Sequence, residues 1–176
     1  ILGMQICRIL SEKQKPFRAM VRISSDQWKV DQLRRMGGDI IVGDLKYPVS
    51  LSKACEGIKE VISTASSTIT HQKGDSIQSV DLNGQLDLVK AAKNSGVKKF
   101  VFISFTENPD IDYPLNKAKR EVEKALKESG MNWTSLWAGY FMESWLSPAL
   151  GFDHVHAKVR IYGSGDRKIS WIACRD

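Results

Sequence analysis

Five short apolar runs, separated by stretches of helical spacing, constrain this chain more than any other feature. The runs are Phe17–Val21, Ile40–Val42, Val61–Ala65, Phe100–Ser104 and Trp133–Trp137. They are apolar on both faces, as strands covered by helices on each side must be. Alternation of such strands with helices of about 10–20 residues specifies an α/β fold with a parallel, doubly wound sheet. The intervening segments carry helix punctuation. Ser25 or Asp26 can cap a helix bearing Trp28, Leu33 and Met36 that Gly37-Gly38 stops. Ser50 opens a helix with Leu51, Ala54 and Cys55, and Gly57 closes it. A long helix is expected over Asp75–Asn94, ended by Gly96. Another is expected over Pro114–Ser129, with proline in its first turn and Gly130 beyond its end.

The beginning and end of the chain depart from this rhythm. Ile1-Leu2-Gly3 runs straight into a helix at Met4–Ser11 with no strand before it. This reads as a dinucleotide-binding unit entered partway through its glycine-rich turn, lacking its first strand. In a sheet ordered 3-2-1-4-5-6 that strand is central. Its absence leaves Phe17–Val21 and Val61–Ala65 without their shared partner. The expectation is a piece of a longer protein or a poor independent folder. Residues 1–150 form the nucleotide-binding unit, and 151–176 begin a C-terminal, substrate-side region. There, Val159–Tyr162 and Ile169–Ile172 flank a Gly163–Asp166 turn and read as a β-hairpin.

Composition excludes some classes of function. The net charge of +6 is scattered over amphipathic helices and not interleaved with aromatics on one element, so no nucleic-acid partner is expected. No apolar run approaches the roughly 20 residues of a membrane span, and no membrane partner is expected. Cys7, Cys55 and Cys174 are widely spaced among apolar neighbours, which suits a reducing, cytoplasmic setting. His154 and His156 alone are too few donors for a metal site.

Candidate site residues lie where the strands end. Gly3 would let the first helix pack closely, with a pyrophosphate over the helix N-terminus. Arg22, with Ser24 and Ser25 beside it, follows the second strand of such a unit, where a base accommodates a 2′-phosphate. This favours NADP over NAD. Asp44, next to Leu45, can accept from an adenine amino group. The small and hydroxyl side chains of Thr64, Ala65 and Ser66 would let a nicotinamide ribose approach the backbone. Tyr113 and Lys117 form Tyr-x-x-x-Lys, one helical turn apart. An ammonium there would favour the phenolate, making Tyr113 a proton donor to a carbonyl, with Ser104 holding the substrate oxygen. Lys117 can alternatively bind the cofactor ribose. Gly139, Tyr140 and Phe141 follow the last strand, where the nicotinamide and the substrate pocket are expected.

The chain resembles the NmrA-like branch of the atypical short-chain dehydrogenase/reductase superfamily. The likeness rests on Phe17–Arg22, Gly43-Asp44-Leu45, Val80–Gly84, Ser95–Ser104 and Gly139–Glu143, which together pace nearly its whole length. The resemblance implies a Rossmann-like, NADP-binding domain. It also implies either a reductase of a small carbonyl, quinone or similar apolar substrate, a non-catalytic redox sensor, or an assembly-factor scaffold, acting as monomer or homodimer. It places Lys117 at the family's lysine position. The family often has Arg-Pro-Gly where this chain has Trp137-Ala138-Gly139.

Overall fold

A computed structural model describes residues 1–68, 72–106, 112–161, 163–166 and 168–176. Helix α1 (Leu2–Glu12) leads into β1 (Arg18–Val21), α2 (Gln27–Arg35), β2 (Asp39–Val42), α3 (Pro48–Cys55) and β3 (Glu60–Ser63). A π-helix (Ile77–Gly84) then runs into α4 (Gln85–Asn94). After it come β4 (Lys99–Phe105), α5 (Pro114–Glu128) and β5 (Asn132–Ala138). Gly96 and Gly130 take positive φ just past α4 and α5, the left-handed step that turns each helix into its strand.

The strands form two parallel ladders, β1–β2 and β3–β4–β5. Among the described residues no ladder joins β1 to β3. Strand β4 is central to its ladder and rich in aromatic and β-branched residues. Along it Phe100, Phe102 and Ser104 turn to the buried face. Phe100 and Phe102 are fully enclosed with Leu51, Val122 and Leu126, each side chain worth about 1.5–3 kcal/mol of burial. Helices α3, α4 and α5 pack in succession over this face. The other face of β4, with Val101, Ile103 and Phe105, is only partly covered, and β5 has an exposed flank with Trp133, Leu136 and Trp137 in solvent, so the two-sided burial expected from the sequence is not met on either strand.

Local chemistry differs from the sequence expectation in four places. Helix α2 starts after Asp26, but neither candidate side chain caps it. Ser25 Oγ accepts from Arg22 N–H, and Asp26 pairs with Lys29. Helix α3 begins at Pro48, and Ser50 is turned back to bond Asp44 and Tyr47. The long helix expected from Asp75 is wound as a π-helix for its first eight residues, opened by a reciprocal Ser76–Ser79 capping box. Among the described residues the expected C-terminal hairpin is not paired. Trp171–Ile172 (β9) pairs in parallel with Tyr140–Phe141 (β6), while Phe152–Asp153 (β7) pairs antiparallel with Lys158–Val159 (β8). Gly139 explains the first of these pairings: a Cβ there would lie 2.6 Å from Ser170 O, so only glycine admits that backbone. Tyr162, part of the expected hairpin, lies outside the described residues. Among the described residues, no helix is long and apolar enough to cross a membrane.

Candidate functional site

The carboxyl ends of β1 to β5 carry three polar clusters. At the outer end, Arg22 Nη1 donates to Asp75 Oδ2 at 2.7 Å, and Lys46 Nζ bonds the other oxygen of the same carboxylate. Asp75 is 1% exposed and also accepts from Gln72 N–H. Desolvation pushes its carboxyl up, but the Lys46 and Arg22 bonds outweigh that and bring it down to about 2. The Lys46 ammonium is raised, first by its bond to Asp75. Ser24 donates to Gln72 Oε1, tying the same loop to the end of β1. Asp44 Oδ1 accepts from Lys46 N–H, closing a turn, so this oxygen is already committed.

The middle cluster lies behind the ends of β3 and β4. Asp81, on the π-helix, is fully buried; its Oδ2 accepts from Ser67 N–H and Ser67 Oγ–H, and among the described residues its Oδ1 has no hydrogen-bond partner. Lys119 Nζ stands 3.9 Å from that Oδ1, donates to Ile103 O at 3.1 Å and lies 4.7 Å over the Phe102 ring. Burial depresses the Lys119 ammonium, with Asp81 acting against it. Gln85 accepts from Ser63 Oγ–H and donates to Ala65 O, fixing the strand-end loop. Gly3 brings the start of α1 against this loop: a Cβ there would lie 3.0 Å from Thr64 Oγ1. Ser66 bonds Thr68.

The third cluster lies at the ends of β4 and β5. Arg120 Nη2 donates to Ser104 Oγ at 2.9 Å and to Phe105 O, and its guanidinium stacks 4.4 Å from the Trp137 ring centre. Glu123 lies beside Arg120 and accepts from both Ser135 Oγ–H and Trp137 Nε1–H. Trp137, standing where the family often has arginine, thus meets a guanidinium supplied by α5. Beyond it, Tyr140, Trp145 and Trp171 form an aromatic group, with Tyr140 and Trp145 edge-on at 4.8 Å.

Not every sequence-predicted residue reaches this edge in its expected role. Lys117 does not meet the Tyr113 phenol: it is 71% exposed and paired with Asp112 at 3.0 Å. Tyr113 packs on Phe105, and burial raises its hydroxyl, the opposite of an activated phenolate. Ser104 is buried, and its Oγ accepts from Arg120 rather than facing the Tyr113 phenol. The Leu45 side chain belongs to the core, against Gly84. Arg22, Ser24, Asp44, Thr64, Ala65 and Ser66 do line the strand ends, while Gly139, Tyr140 and Phe141 sit with the β6–β9 pair.

Sequence reasoning missed Asp75, Asp81, Lys119 and Arg120. A signal was present for two of them. Asp81 shares its spacing with Leu88 and Ala92, and Lys119 with Val122 and Leu126, so each interrupts a buried stripe with a charge. Lys117 instead falls on the charged face with Glu121 and Lys124.

Parallel strands under helices, with polar side chains gathered at their carboxyl ends, define a Rossmann-type α/β protein, a fold whose ligands lie along that edge. More narrowly, the chain belongs to the NmrA-like family, which it matches over residues 1–162. It is 32% identical to the NAD(P)H azoreductase of Xenophilus azovorans over 99% of its own length and 56% of that protein. It is 37% identical to the photosystem II assembly factor Ycf39 of Cyanophora paradoxa, over 76% of this chain and 40% of that one. The chain thus spans about half the length of the curated relatives it matches. Among solved structures, the nucleoside-diphosphate-sugar epimerase of Staphylococcus aureus superposes with a TM-score of 0.73 at 23% identity, over 99% of this chain and 59% of that one. The NADPH-dependent quinone oxidoreductase QOR2 of Escherichia coli, crystallised with NADPH, gives 0.66 at 24%, over 84% of this chain and 49% of that one.

Proposed function

We propose that this chain is the cofactor-binding part of an NADPH-dependent reductase of a small carbonyl, quinone or similar apolar acceptor. The observation that carries the reading is the Lys119 ammonium, buried at the end of β4 against a carboxylate oxygen that has no other partner among the described residues. Two buried ionisable groups set behind a ligand-binding edge have a functional rationale that a surface pair lacks. The strand-end residues fit a dinucleotide. Gly3 and the start of α1 would face the pyrophosphate, Arg22 and Lys46 the adenosine side, and the Thr64–Ser66 backbone and Lys119 the nicotinamide side. The bound nicotinamide supplies a hydride. Lys119 would hold a proton at Nζ, Asp81 favours its charged form against the pull of burial, and Gln85 fixes the Ala65 loop. The Tyr140, Trp145 and Trp171 group supports an apolar, planar acceptor.

The test is turnover by the intact protein. Lys119→Met should lower kcat for NADPH oxidation by about a hundredfold, the low end of what general acid–base groups contribute, with NADPH still bound. Lys117→Ala should change it less than about twofold, in keeping with an exposed side chain. The likeness to Ycf39 favours a second reading, a scaffold that assists assembly of other proteins. NADPH binding without oxidation across a panel of quinones, azo dyes and aldehydes would select it.

A further inference from the structure

The outer cluster contains more than one cation at the end of β1. Arg22 comes directly after β1, Lys46 from the loop after β2, and Asp75 from the turn before the π-helix. All three meet at one carboxylate whose two oxygens are divided between the cations. The carboxylate is 1% exposed, whereas the Arg22 and Lys46 side chains are 28% and 16% exposed, so the acid lies behind and the cations in front. Among the described residues only Nη1 of the Arg22 guanidinium has a side-chain or backbone acceptor, so Nε and Nη2 keep donor capacity on a side chain that is partly exposed. Lys46 also donates to Lys73 O, and Asp44 Oδ2 stands 3.7 Å from its nitrogen. The four charged groups sum to zero. Any preference for an anion in front of them therefore comes from where the cations are held, not from excess charge. Two cations this close repel one another, and a shared acid behind them is what fixes both.

We infer that Asp75 is a positioning residue that sets the preference for a 2′-phosphorylated dinucleotide by holding Arg22 and Lys46 as a two-cation bracket. The inference rests on the cofactor reading above. It assigns Lys46 as the second phosphate donor and Asp75 as the residue behind both. Groups fixed before binding lose less freedom on binding, so the bracket favours the phosphate by arrangement. Asp75 makes no contact with the ligand itself.

The test compares 2′,5′-ADP with 5′-AMP by calorimetry on the intact protein, alongside NADPH. The Asp75→Asn variant should bind 2′,5′-ADP about tenfold more weakly, on the scale of one lost charge-assisted hydrogen bond, with 5′-AMP within about twofold. Lys46→Met should weaken 2′,5′-ADP similarly, and the double variant should be little worse than either single one, because both lesions disable the same bracket. A purely structural role would weaken both ligands together, and that result overturns the inference. So does tighter 2′,5′-ADP binding by Asp75→Asn, which would mean that the acid competes with the phosphate. A wild-type protein that binds NADPH but is indifferent to Asp75→Asn overturns the bracket alone. A wild-type protein that binds neither NADPH nor 2′,5′-ADP overturns the cofactor reading and the bracket with it.

Discussion

The pair formed by Asp81 and Lys119 is the feature whose removal has the most calculable effect. At 3.9 Å, two unit charges attract by about 4 kcal/mol at an effective dielectric of about 20. Desolvation of both groups offsets much of this. Asp81→Asn keeps an oxygen for Ser67 but leaves the Lys119 ammonium buried with a ring face and one carbonyl. Lys119→Met leaves the Asp81 carboxylate with only the two Ser67 donors. Each single change should cost about 3–5 kcal/mol, the usual penalty for orphaning a buried charge. The double variant orphans neither charge, and methionine sits well against the Phe102 ring. It should therefore be less destabilised than the sum of the two by at least about 2 kcal/mol. Urea denaturation of the intact protein, followed by tryptophan fluorescence at constant m-value, measures this coupling. Additivity within about 0.5 kcal/mol would refute the claim that the two charges support one another.

Two further outcomes follow from other parts of the molecule. Because the folded Asp75 carboxyl titrates at about 2, the unfolded chain takes up a proton that the folded one refuses as pH falls below the ordinary carboxylate range. Its stabilisation is complete above about pH 4 and is lost progressively towards pH 2, and Asp75→Asn should flatten that limb of an acid-denaturation curve. Gly139→Ala would drive a Cβ into Ser170 O and should part β6 from β9 at a cost of about 1–3 kcal/mol, read as faster amide exchange at Tyr140 and a changed Trp171 environment.

Much of the architecture is legible because it depends on local patterning. The run Lys99–Phe105 is a strand by composition, and the glycines at 96 and 130 mark the ends of helices whatever surrounds them. The site is less legible, because its contacts join distant segments. Arg22 and Asp75 are 53 positions apart, and no local spacing announces that they touch. The lysine is instructive in a different way. Tyr-x-x-x-Lys draws attention to Lys117 by spelling, whereas the 3.6-residue period puts Lys119 on the buried stripe with Val122 and Leu126, two positions further on. Helical phase, not the motif, tells which of the two lysines is buried. The β6–β9 pairing was illegible for a third reason: two-residue strands have no periodicity to read.

The wide winding over Ile77–Gly84 has a bearing on ancestry. A π-segment is how a helix absorbs an added residue while both of its ends stay anchored, here at the Ser76 cap and at the run into α4. Each residue of α-helix turns the bearing by about 100°. Excising one residue from this stretch would restore ordinary winding and swing the carboxylate at position 81 away from the ammonium it faces. A lineage with a shorter stretch at this point would have to neutralise its buried lysine by other means or do without that lysine.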